Sequence, residues 1–129
     1  LEHPEAVKTL VLIGTPHKVP KAAFALQNVV FRLLPQSTFA SMAFDKKNTF
    51  ALGNSMRDLD FSGRVSAVQC PTLILCGEKD RANIQSARFL SQNIRGAQLQ
   101  LIAQTGHVVN EENPDALAKE LNEFYAPYS

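Results

Sequence analysis

The sequence predicts an α/β fold of about three parallel strands with flanking helices, interrupted by a helical insertion. Three observations carry this. Two near-continuous apolar runs, Val7 to Ile13 and Thr72 to Cys76, each stop at a glycine, Gly14 and Gly77; strands of a parallel sheet covered on both faces have this form. Between the second run and a third, Gln98 to Gln104, the apolar residues Ile84, Ala87, Leu90 and Ile94 recur at helical steps. Residues 21 to 62 hold six of the eight Phe and both Met in a mostly helical pattern.

Taken in order, the first strand closes at Gly14-Thr15-Pro16, and the insertion follows. Its Phe and Met side chains suit either a lid that lines a greasy pocket or a small helical core that only packs. The second strand enters the helix of Ile84 to Ile94, with Asn83 as N-cap and Gly96 just past the end. Strand, helix and strand in so short a span make a βαβ unit, so the strands run parallel with a right-handed crossover. The third strand alternates, with Leu99, Leu101 and Ala103 on one side and Ile102 among glutamines on the other, which places it near a sheet edge. Asn113-Pro114-Asp115 then supplies a cap, an N1 proline and a first-turn acid for a last helix through Leu117, Leu121 and Phe124. The expected division is a core of 1–20 and 63–129 and an insertion of 21–62.

Composition excludes several function classes. A formal net charge of +1 with 19% charged residues gives no electrostatic footprint for nucleic acid. The apolar runs fall far short of the ~20 residues that cross a bilayer, so no membrane partner is expected. The opening Leu1-Glu2-His3-Pro4 is too polar for a signal peptide. Cys70 and Cys76 fit neither a redox nor a zinc motif; read as reduced thiols, they point to the cytoplasm. The histidines at 3, 17 and 107 lack ligand spacing, and the glycines show no phosphate-binding pattern, so neither metal nor cofactor is expected.

Reacting groups of open parallel sheets gather beyond the carboxyl ends of the strands. Asp80 follows the second strand and His107 the third. If those strands are neighbours, the Asp80 carboxylate can accept the imidazole Nδ1 proton and leave Nε2 free as a general base. His17, beyond the first strand, could reach the same crevice, but an exposed loop histidine is the plainer reading. Ser55 in Gly53-Asn54-Ser55-Met56-Arg57 imitates a nucleophile motif without its last glycine or a preceding strand. Cys76 is expected to be buried and inert.

Cys70-Pro71-Thr72-Leu73-Ile74-Leu75-Cys76-Gly77-Glu78-Lys79-Asp80 resembles the acid-bearing strand of α/β-hydrolases. Gly106-His107-Val108-Val109-Asn110-Glu111-Glu112-Asn113-Pro114 resembles their catalytic-histidine segment, and His3-Pro4-Glu5-Ala6-Val7-Lys8 through Gly14-Thr15-Pro16 is similar to the strand after their nucleophile helix. The resemblance covers nearly the whole chain as the carboxyl-terminal portion of that fold, with 21–62 in the cap position. It implies Asp80 as triad acid and His107 as triad base, in the order nucleophile, acid, histidine. Glu112 matches a family glutamate, read as a charge partner at a helix N-terminus.

The family's G-x-S-x-G elbow is missing. A chain without nucleophile and oxyanion donors is expected to be inactive alone, while a full-length parent would hydrolyse a small-molecule substrate, apolar esters being favoured. Its first strand, without a neighbour, would favour self-association or pairing with a separate amino-terminal half. The competing expectation is a non-catalytic pseudo-hydrolase or binding module; an unrelated flavodoxin-like domain lacks its phosphate-binding glycines here.

Overall fold

A computed structural model describes residues 2–41 and 45–128. The elements are β1 (Leu10–Ile13), α1 (Lys21–Leu33), α2 (Gln36–Ser41), α3 (Lys46–Met56), β2 (Thr72–Gly77), α4 (Ile84–Asn93), β3 (Gln98–Ile102), α5 (Val109–Glu112) and α6 (Pro114–Tyr125). The three strands form one parallel sheet in the order β1-β2-β3. The expected α/β architecture of three parallel strands with flanking helices is therefore the observed one.

All six residues of β2 are buried, as its central place requires. Strand side chains alternate between faces, and the two faces of β2 build two cores. Ile74 and Cys76 pack with Ala87, Leu90 and Ile94 of the α4 region; Leu73 and Leu75 pack with Ile102, Val109 and Phe124 on the α6 side. Apolar burial of this kind contributes about 25 cal/mol per Å² removed from water. It fixes the sheet between its two helices, and the strand ends inherit that rigidity.

Two strand ends differ from the sequence expectation. β1 starts at Leu10 instead of Val7, because Pro4–Ala6 form a 3-10 turn and pairing begins where the Leu10 amide donates to the Pro71 carbonyl just before β2. β3 stops at Ile102 instead of Gln104. Gln104 turns into the left-handed region with φ +58° and gives its amide to the Glu78 carboxylate, which ends the ladder. At the last helix, Asn113 accepts from the Ala116 amide and Pro114 takes the first position, as its sequence indicated.

The chain divides into two compact units, Leu1–His17 with Phe61–Ser129, and Lys18–Asp60. The second unit holds α1, α2 and α3. Phe24 and Phe39 are buried in it, Phe31 meets Phe39 and Phe50 edge-on at 5.6 and 6.3 Å, and Asp45 caps α3 by accepting from the Asn48 amide. Met42 and Phe44, counted among its apolar residues, lie outside the described residues. Among the described residues no helix is long and apolar enough to cross a membrane.

Candidate active site

The loops that follow β2 and β3 are laced together by backbone. The Glu78 amide donates to the Ile102 carbonyl and the Lys79 amide to the Thr105 carbonyl, at 2.9 and 2.8 Å. This closeness depends on Gly77: a Cβ there would run into the carbonyls of Gly106 and Thr105. The loop carrying His107 can thus lie directly against the loop carrying Asp80.

Within that frame Nδ1 of His107 stands 2.9 Å from Oδ2 of Asp80. The Asp80 side chain is 3% exposed and the His107 side chain 64%. Burial by itself would raise the Asp80 pKa; hydrogen bonds from the Asn83 side chain, His107 and the Asn83 amide outweigh it and hold the carboxyl below its ordinary value. An ionised Asp80 only accepts, so Nδ1 carries the proton and donates. Nε2 is then the basic nitrogen. Among the described residues no hydroxyl or thiol bonds it; the partner of Nδ1 is Asp80, and Asn83 Nδ2 lies beside that nitrogen at 3.2 Å.

Two further groups shape the histidine. Gly14, at φ +54° beyond β1, lies under the ring, and a Cβ there would come within 3.1 Å of Nδ1. Glu112, at the end of α5, accepts from the amides of Gly106 at 2.6 Å and Val108 at 3.2 Å. Its carboxylate therefore grips the backbone on both sides of His107, a larger task than the helix-terminus charge partner read from the sequence. Gly106 has no Cβ because one would meet Glu112 Oε1 at 2.8 Å.

The other candidates fall elsewhere. His17 is a half-buried residue, not an exposed loop histidine: its ring stacks on Phe89 at 4.1 Å and its Nδ1 meets Ser86 Oγ at 2.9 Å, both on α4. Ser55 spends its hydroxyl inside α3, donating to the Leu52 carbonyl at 2.7 Å. Cys76 is fully buried, and burial first, then the charge of Asp80, push its thiol pKa up. Cys70 is a free thiol as well. Among the described residues no group of three or more His, Cys, Asp or Glu could hold a metal ion.

A hollow of about 680 Å³ is lined by Leu10, Leu12, Val65, Val68, Leu90 and Ile94 among others, and neither Asp80 nor His107 borders it. Size and chemistry disagree here. The hollow is mostly apolar, while the buried carboxylate and the exposed imidazole form the arrangement able to move a proton, so the pair marks the candidate site.

A parallel sheet carrying a buried Asp and an exposed His at adjacent strand ends defines the class of fold that the comparisons then specify. No family model matches the chain. It is 29% identical over 114 residues to monoacylglycerol lipase ABHD6 of Bos taurus, covering 84% of this chain and 31% of that protein. It is 26% identical over 77 residues to proline iminopeptidase of Saccharolobus solfataricus, covering 60% and 25%. A solved hydrolase from Pseudomonas aeruginosa superposes with a TM-score of 0.83 at 20% identity, over 96% of this chain and 57% of that one. The chain is a relative of the α/β-hydrolase superfamily and carries part of that fold. It spans about a quarter to a third of the length of these curated relatives.

Proposed function

We propose that this chain supplies the acid, Asp80, and the base, His107, of a hydrolytic triad whose nucleophile lies outside its 129 residues. The observation that carries the reading is the 2.9 Å contact of His107 Nδ1 with a buried Asp80 while the imidazole stays exposed. In that state Nε2 takes the proton of an incoming hydroxyl as it attacks the substrate carbonyl. The imidazolium that forms is stabilised by Asp80 and returns the proton to the leaving group; water then repeats the cycle on the acyl intermediate.

The relatives named as a lipase and an iminopeptidase favour an ester or amide bond as the target. The phenylalanines of 18–60, a cap or lid unit in this reading, favour an apolar acyl group. Cys70 and Cys76, both free thiols, favour a cytoplasmic setting for an enzyme acting on a small molecule. A second reading, a pairing module without activity of its own, draws support from β1, which has β2 on one side only among the described residues. The two readings join if the nucleophile arrives on a segment that pairs with that edge.

One preparation of the 129-residue chain tests both. Treated with a fluorophosphonate it should stay unlabelled, and by sedimentation it should run above monomer mass. Stoichiometric labelling would overturn the external nucleophile, and a clean monomer at high concentration would overturn the edge pairing.

A further inference from the structure

Asn83 touches both members of the acid–base pair. Its Nδ2 lies 2.9 Å from Asp80 Oδ2, 3.2 Å from Asp80 Oδ1 and 3.2 Å from His107 Nδ1, and its backbone amide donates to Asp80 Oδ1 at 3.2 Å. The sequence marked it as the N-cap of α4, and it does hold that place, but its side chain makes no capping bond. The amide group has turned away from its helix toward the carboxylate. The end facing Asp80 must be the NH₂, because the amide oxygen against a carboxylate would set acceptor against acceptor.

Two consequences follow from this placement. The Asn83 backbone amide fixes Oδ1, and its Nδ2 spans both oxygens with the shorter contact on Oδ2, so the carboxylate is held with Oδ2 facing the ring. Nδ2 also stands beside Nδ1 as a donor, and donor beside donor is tolerable only while both point their hydrogens at Asp80. The charge-assisted bond from Nδ1 to Oδ2 is the stronger option for that nitrogen. We infer that Asn83 is a positioning residue for this pair: it holds the Asp80 carboxylate ionised, aims Oδ2 at His107, and thereby keeps the proton on Nδ1 and Nε2 open. The inference rests on the acid–base reading above and extends it to a residue that touches no substrate.

The test needs no turnover. In isotopically labelled chain, the Asp80 carboxyl ¹³C signal is titrated with pH and the ring ¹⁵N shifts of His107 report its tautomer. Asn83→Ala should move the Asp80 midpoint upward by about one pH unit, because donors to the charged form are lost, and should lower the Nδ1–H population. Asn83→Ser, which keeps a capping residue and one hydroxyl donor, should fall between. A role confined to starting α4 would lower thermal stability and leave the Asp80 midpoint and the tautomer unmoved in both variants; that result overturns the inference. Asp80→Asn separates the two levels. If it too leaves the His107 ring nitrogens unchanged, the acid–base pair itself fails; if it shifts them while Asn83→Ala does not, only the role of Asn83 fails.

Discussion

In the sheet unit every residue of β2 is buried and its two faces feed two separate cores. In Lys18–Asp60 the buried side chains among those described are Phe24 and Phe39, while Leu26, Leu33 and Leu52 are 66, 80 and 65% exposed. Both units are rich in apolar residues, so composition does not separate them. What separates them is degree: the sheet unit packs two cores around one strand, with exposed apolar residues such as Val7 and Leu101 at 42 and 39%, while the helical unit leaves three leucines at 65% or more. A site that depends on tenths of an ångström belongs on the first kind of scaffold.

Alanine at Gly77 breaks the comparison open most sharply. Gly77→Ala sets a methyl against the carbonyls of Gly106 and Thr105, which belong to backbone and cannot step aside. We expect a loss on the order of 4 kcal/mol by urea denaturation, or failure to fold. A loss below about 1 kcal/mol would mean that the two loops are not packed as described.

The next effect is electrostatic. Asp80→Asn removes a buried charge that accepts three donor groups, and should cost about 2 kcal/mol at neutral pH. Because the folded pKa of Asp80 lies below its ordinary value of 3.8, its contribution is complete above that pH and is lost as pH falls through the lower folded value. The gap between wild type and variant should therefore narrow on acidification below about pH 4, followed by denaturation at a series of pH values. A gap that stays constant to pH 2 would contradict the ionised, hydrogen-bonded state.

The smallest effect has the opposite sign. Gly53 lies within α3, where an added Cβ would meet, among the described residues, only the Phe24 ring edge at 3.5 Å, an ordinary contact. Gly53→Ala should stabilise Lys18–Asp60 by about 0.5–1 kcal/mol, the usual gain of alanine over glycine inside a helix. The measurement is amide exchange along α3. Faster exchange in the variant would show that the helical unit is as tightly filled as the sheet unit.

Much of the sheet was legible because its signals are local. The unbroken run at Thr72 to Cys76 reads as a central strand, and the stripe Ala87, Leu90 and Ile94 reads as the buried face of α4; burial agrees with both. The positions of Asp80 and His107 beyond successive strands were legible too, since chain direction and a βαβ crossover leave few alternatives. The strand ends were less so. Where β1 begins and β3 stops depends on where the partner strand offers a carbonyl and where Gln104 reverses its backbone, and neither is written in hydrophobic spacing.

The sequence by itself determined a parallel α/β sheet and the two residues, acid and imidazole, that sit at its carboxyl edge. Only the tertiary structure decided what the polar side chains there do. Asn83 had a cap to make and bonds Asp80 instead. Glu112 grips the amides around His107, and His17 turns to Ser86 and Phe89 on α4. The physical reason is range. Apolar periodicity encodes which face of an element is buried, whereas a hydrogen-bonding group takes whichever partner the packed backbone brings within about 3 Å, and that partner is often far away in the chain.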